Sequence, residues 1–201
     1  AIGTTNGIYE AKITEDTLRL NNTTPLLKNL QKQIEKLYYH KPSNSLIIST
    51  LRKGLYIYDL NQEKLSQPFN LKTTSANKIT SLSDTAVLVA TNGAGIYKID
   101  LISQTWEPYI TANYDEIGEM NGNNIKDVLI DEENRIWMSN YPNGVTIRND
   151  KNNLDFDVIQ HIPKSNQGLA HSQVNDFFED RDGDLWFATN NGVSLYYPKQ
   201  D

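Results

Sequence analysis

Apolar residues come in short runs along the whole chain. Each run closes on a polar turn containing glycine and is followed by a second run rich in Ile, Val, Leu and Tyr. One phrase of this kind recurs five times: Ala1–Ile8, Leu46–Leu55, Val87–Ile96, Arg135–Val145 and Asp184–Val193. Two apolar runs around a short Gly-bearing turn predict a β-hairpin. Glycine suits that turn because such turns need positive φ, which costs other residues more. The closing glycines Gly7, Gly54, Gly95, Gly144 and Gly192 lie 47, 41, 49 and 48 residues apart. A repeat of roughly 40 to 50 residues fits a four-stranded propeller blade.

Each blade is read as four strands from the inside outward. The innermost strand is the run before each phrase: Asn77–Leu82, Asn124–Ile130 and Gln173–Glu179. The second strand is the first half of the phrase. The third follows the glycine, as in Gly54–Asp59, Gly95–Asp100 and Gly192–Tyr197. The outermost is the weakest signal, around Lys64–Phe69, Thr105–Ile110 and Leu154–His161. The fold class is therefore all-β, a partial β-propeller of four-stranded blades. One propeller segment occupies 1–201, with full blades at 33–70, 77–110 and 124–161 and partial blades at 1–22 and 173–197. The second strands are apolar on consecutive positions, as strands covered on both faces should be. Trp137 and Trp186 are expected to fill the space between blades. Residues 21–33 and 111–123 read as long connections. By the alignment of the phrases Ala1 stands where Trp137 and Trp186 stand, so the chain reads as a segment of a longer protein that supplies the remaining blades.

The stretch Gln173–Val193 carries Asp180, Gly183, Leu185, Trp186, Thr189 and Gly192 in one register. In Asn124–Gly144, Asp131, Ile136, Trp137 and Gly144 fit the same register, Asn134 replaces the turn glycine and Asn140 replaces the threonine. The phrases at 46–55 and 87–96 keep the spacing, the glycine and Thr50 or Thr91. This pattern resembles the two-component regulator propeller repeat. The resemblance implies the periplasmic ectodomain of a hybrid two-component sensor as in gut Bacteroidetes, built of seven-bladed propellers followed by a β-sandwich. A membrane helix and cytoplasmic kinase and response-regulator modules would lie outside this chain. It implies an oligosaccharide ligand from glycan breakdown and a homodimer of the full, membrane-anchored receptor. On this reading the segment itself is not an enzyme, with no catalytic residue, cofactor or metal.

Charge and candidate chemistry narrow the reading. The net charge of −6 argues against a nucleic-acid partner, which calls for a basic face. Cysteine is absent, which excludes disulfides and thiolate chemistry. Asp180, Asp182 and Asp184 around Gly183 suggest a calcium loop, but the glycine falls in the wrong place and the distal Glu is missing, so they read as a turn. The Asp-box of sialidases fails because Arg181 holds the aspartate position. His40, His161 and His171 lack metal-ligand spacing. The turns between second and third strands share a face with the entries to the innermost strands. They carry Arg52, Lys53, Asn92, Tyr141, Asn143, Asn190 and Asn191, with His171 before an innermost strand. Aromatic rings stack on sugar faces, and Asn and Arg bond hydroxyls. The candidate ligand-binding residues are Arg52, Tyr141, Asn143, His171 and Asn190, although tight turns favour Asn in any case. The alternatives are a non-enzymatic protein-interaction scaffold and, behind it, a propeller lyase or glycosidase.

Overall fold

The computed structural model describes residues 2–4, 7–14, 17–21, 30, 33–51, 54–69, 75–112, 122–149, 156–165 and 167–197. Among them every element is a strand, and the strands form five antiparallel sheets. The first holds β1 (Ile2–Thr4), β2 (Gly7–Thr14) and β3 (Thr17–Asn21). The second holds β4 (Ile34–His40), β5 (Ser45–Thr50), β6 (Gly54–Asp59) and β7 (Lys64–Phe69). The third holds β8 (Ala76–Ser81), β9 (Ala86–Thr91), β10 (Ile96–Asp100) and β11 (Thr105–Ile110). The fourth holds β12 (Ile125–Ile130), β13 (Ile136–Asn140), β14 (Val145–Arg148) and β15 (Phe156–Ile159), and the fifth β16 (Val174–Glu179), β17 (Leu185–Thr189) and β18 (Gly192–Tyr196). In every sheet the strands pair in chain order, each with the next.

The sheets stack side by side with their innermost strands adjacent: β4 lies against β8, β8 against β12 and β12 against β16. The result is an open arc of propeller blades. Each of these four strands carries a bulge near its start, between Ile34 and Lys36, Ala76 and Lys78, Ile125 and Val128, and Val174 and Asp176. A bulge adds twist and turns the next side chain to a new direction. The long connections expected at 21–33 and 111–123 lie largely outside the described residues.

The core lies between sheets. Ile8, Ile34, Ile48 and Tyr58 fill the first gap, and Ile47, Ile57, Ile79 and Ile99 the second. Leu88, Ile96, Val128 and Met138 fill the third, and Trp137, Ile147, Val174 and Phe187 the fourth. β9 and β13 are buried at every position, as a strand covered on both faces must be. Trp137 is enclosed, with ring centroids 5.9 Å from Phe187 and 5.2 Å from Tyr196. Trp186 is not: it is 39% exposed, against 1% for Trp137. The expectation that both fill a gap between blades is met by Trp137, and Trp186 lies on the face of β17 that no described sheet covers. β17 buries Leu185 and Phe187 against the fourth sheet, while its other face, with Trp186, has no described sheet beyond it.

A stability difference follows. Trp137→Ala should cost about 3–5 kcal/mol in urea unfolding, as for a buried aromatic. Trp186→Ala should cost clearly less. Equal losses would show that Trp186 is covered in solution.

Candidate functional site

One end of the arc is built from the starts of the innermost strands and the turns between second and third strands. The pairing sets this: Ile34 faces Thr50, Ala76 faces Thr91, Ile125 faces Asn140 and Val174 faces Thr189. Thr50, Thr91 and Thr189 close their own turns, each hydroxyl donating to the carbonyl of Gly54, Gly95 or Gly192 at 2.9, 2.8 and 2.7 Å. Asn140 stands in that position in the fourth sheet. Its Nδ2 instead donates 2.8 Å to the carbonyl of Gly122, tying the turn to the chain entering β12. Each turn also bonds back to the entry of its innermost strand, as Tyr141 N does to Asn124 O at 2.9 Å and Asn190 N to Gln173 O at 3.0 Å.

The sequence candidates fall into two groups on this rim. Tyr141 and Asn143 are half-buried on the turn of the fourth sheet. The Lys126 ammonium sits 5.2 Å above the Tyr141 ring, and the Asn143 carbonyl accepts from Gln160 Nε2 at 2.8 Å. His171 and Asn190 lie over the fifth sheet, joined through Gln173. His171 Nδ1 accepts from Gln173 N at 3.0 Å, and Asn190 Nδ2 donates to Gln173 Oε1. Asn190 Oδ1 accepts from Asn175 Nδ2 at 2.7 Å. The rings of His171 and His161 stack at 6.5 Å. Arg52 lies outside the described residues. Asn190 is exposed and His171 half-buried, so this group presents amide and imidazole edges to solvent. Asp180 belongs to the opposite end, where it organises the turn into β17. Its Oδ1 accepts from Asp182 N and Asp184 N at 3.0 and 3.1 Å, and its Oδ2 from Trp186 Nε1 at 2.7 Å. Among the described residues no three His, Cys, Asp or Glu side chains gather as a metal-binding group.

Just inside the rim lies a set of charges that the sequence reading passed over. The bulges bring Lys36, Lys78, Asp127 and Asp176 to the same position on successive innermost strands. Asp127 is 1% exposed. Its Oδ1 pairs with Lys78 Nζ of the third sheet at 2.8 Å and accepts from Val128 N at 2.8 Å. Its Oδ2 accepts from Phe177 N of the fifth sheet at 2.6 Å. Lys78 also reaches Asp176, at 3.5 Å. One carboxylate thus joins three sheets. Burial first, and the neighbouring Asp176 second, push the Asp127 carboxyl up to about 6. The hydrogen bond with Asp127 holds Asp176 below its usual range. The signal for this set was the spacing of charged residues two places after Ile34, Ala76, Ile125 and Val174, legible only once the bulges are known.

Residues 168–191 match the family described as two component regulator propeller, and these residues include His171, Gln173, Asn175 and Asn190. No curated protein matches the sequence. Solved structures carry the same fold. The extracellular domain of BT4673 from B. thetaiotaomicron, assigned to a one component system, is 18% identical with a TM-score of 0.73 over 96% of this chain and 25% of its own. The extracellular domain of BT3049 from the same organism, assigned to a hybrid two component system, is 18% identical with a TM-score of 0.68 over 83% of this chain and 22% of its own. YCF48 bound to D1 peptide is 12% identical with a TM-score of 0.63 over 99% of this chain and 59% of its own. The chain therefore spans about a quarter of the length of the two ectodomains.

The raised Asp127 value fixes a pH dependence. Its folded pKa of about 6 lies above the ordinary 3.8, so the fold gains from its protonation, and that gain is lost as pH rises. Between pH 4 and pH 6 the native protein should lose up to about 3 kcal/mol relative to Asp127→Asn. Urea unfolding of both proteins across this window checks it. A native protein that gains stability relative to Asp127→Asn as pH rises, or keeps a constant difference, would refute the assignment.

Proposed function

We propose that this chain is an extracytoplasmic sensor-domain segment of a hybrid two-component receptor, and that its ligand is an oligosaccharide released by glycan breakdown. The carrying observation is that the regulator-propeller match at 168–191 lies over the polar rim group of His171, Gln173, Asn175 and Asn190. Amide and imidazole edges of this kind suit a hydroxyl-rich ligand. On this reading the segment is periplasmic and does no chemistry. Further blades, a membrane anchor and a histidine kinase belong to the parent receptor, which acts as a homodimer. Ligand at the rim shifts the packing of the receptor dimer.

A protein-docking propeller is the second reading. It draws on the peptide-bound neighbour of the same fold. A propeller lyase or glycosidase stands third.

A thermal-shift screen of the ectodomain that carries this segment, against purified glycan fragments, separates the three. A ligand at about a hundred times its dissociation constant adds roughly 2.7 kcal/mol of stability. A shift with one glycan class, reduced in Asn190→Ala and without turnover, is the expected result. No shift with any glycan sinks the oligosaccharide reading in favour of docking, and turnover favours the enzyme.

A further inference from the structure

Five asparagines stand directly before a glycine: Asn6, Asn92, Asn121, Asn143 and Asn191. Such a pair carries its own reagent. The backbone nitrogen of the glycine lies within reach of the asparagine side-chain carbonyl carbon, and with no Cβ in the way the two can close into a five-membered imide. Three of the pairs lie wholly among the described residues, Asn92–Gly93, Asn143–Gly144 and Asn191–Gly192, each on a turn between second and third strands. The fold treats them differently.

Two pairs are held. Gly93 N donates to Thr91 O at 3.2 Å and to Asn123 O at 3.1 Å, so the attacking nitrogen is tied to the chain entering the fourth sheet. Gly144 is buried and Asn143 half-buried. The Gly144 carbonyl accepts from Asn140 N at 2.9 Å, the Asn143 carbonyl accepts from Gln160 Nε2 at 2.8 Å, and a Cβ on Gly144 would strike the Ile159 carbonyl. The third pair is open. Asn191 and Gly192 are both exposed, and a Cβ on Gly192 would meet nothing. The Asn191 side-chain amide takes no hydrogen bond among the described residues, and only its backbone N is engaged, donating to Thr189 Oγ1 at 3.2 Å. The same hydroxyl donates to Gly192 O at 2.7 Å, so one threonine side chain clasps both residues of the pair. An exposed turn of this kind opens at little cost.

We propose that Asn191 is a site of spontaneous deamidation, and that its conversion undoes the rim turn that carries Asn190. The Gly192 nitrogen, its proton taken by hydroxide, attacks Asn191 Cγ. The N–Cγ bond forms, the Cγ–Nδ2 bond breaks, and ammonia leaves with a proton from water. Water then opens the imide at one of its two carbonyls. One opening gives aspartate, and the other gives isoaspartate, in which the chain runs through the side-chain carbon. Aspartate puts a carboxylate on the turn. Isoaspartate also adds a backbone atom between residues 191 and 192, and the spacing at which one Thr189 hydroxyl serves Asn191 N and Gly192 O is lost. Asn190 sits on the same turn, with its N on Gln173 O at 3.0 Å and its side chain between Gln173 and Asn175, and moves with it. The chemistry needs only water and hydroxide, whatever the rim binds.

Peptide mapping by mass spectrometry tests it, on the purified chain kept at mildly alkaline pH and on the same chain kept in urea. In the native chain the peptide carrying Asn191 should gain one mass unit and separate into aspartyl and isoaspartyl forms. Asn92 and Asn143 should convert at least about tenfold more slowly. In urea the three should convert at similar rates, because the fold no longer distinguishes them. The aged chain should melt below the fresh one, and the exposed substitution Asn191→Gln should remove both the mass gain at that position and the melting shift. The proposal is overturned if native Asn191 stays intact while urea converts it, or if Asn92 or Asn143 keeps pace with it in the native chain. It is equally overturned if the converted chain melts with the fresh one, or if the melting shift persists in Asn191→Gln.

Discussion

Apolar burial between neighbouring sheets is the interaction on which the rest depends. A four-stranded sheet is one layer thick and holds no core of its own, so each must borrow one from the next. β9 and β13 show the result, with every residue buried because both faces are covered. β17 shows the converse. The same kind of sequence, with Leu185, Trp186 and Phe187 in a row, alternates between buried and exposed because one face is covered. Burial here is a property of the stack, and a residue's share in it depends on the sheet beside it as much as on its own chemistry.

Within each sheet, local bonds hold the turn into the second strand so that the stack can form. Asp131 does this in the fourth sheet. It accepts from Glu133 N and Arg135 N at 3.0 and 2.9 Å, pairs with the Arg135 guanidinium at 2.7 Å, and takes the Trp137 indole N–H at 2.8 Å. Asp180 repeats the arrangement around Trp186, although that ring is partly in water, so the clamp needs no neighbouring sheet. The second sheet reaches an equivalent end by other means. His40, buried, bonds Ser43 Oγ at 2.8 Å through Nδ1 and the carbonyl of Ser83 in the third sheet at 3.1 Å through Nε2. The geometry is kept while the chemistry changes.

The features legible in the sequence are those fixed by local geometry. Gly95 and Gly144 sit at φ of +74° and +99°, where a Cβ would strike the carbonyls of Ile110 and Ile159 in the outermost strands. Such positions admit little but glycine, and the repeat could be counted from them. Asn134 at φ +63° does the work of Gly183 at +84°, an exchange that asparagine tolerates better than other side chains. The outermost strands were also visible, with Lys64–Phe69 and Thr105–Ile110 recovered as β7 and β11. The burial of Trp186 depends on what covers the outer face of β17, which the sequence of β17 does not describe. The charge set of Lys78, Asp127 and Asp176 was missed because a bulge shifts the strand alternation by one residue, and bulges leave no sequence mark here. The asparagines of the rim illustrate a different limit. Asn190 was singled out for what its amide offers a ligand, and both ends of that amide are engaged by Gln173 and Asn175.

The rim and the inner charge set are mechanically joined. The chain entering β12 is tied at the rim by Asn140 and Tyr141, and a few residues on the same strand presents Asp127 to the sheets on either side. Apolar contacts between sheets are non-directional and tolerate small slides. A buried carboxylate bonded at 2.8 Å to one neighbour and 2.6 Å to the other does not, because losing either partner leaves a charge or a donor unpaired away from water. Asp127 therefore fixes the alignment of the third, fourth and fifth sheets far more sharply than their shared core does. Any event at the rim that moves the fourth sheet against its neighbours has to break or re-pair those bonds.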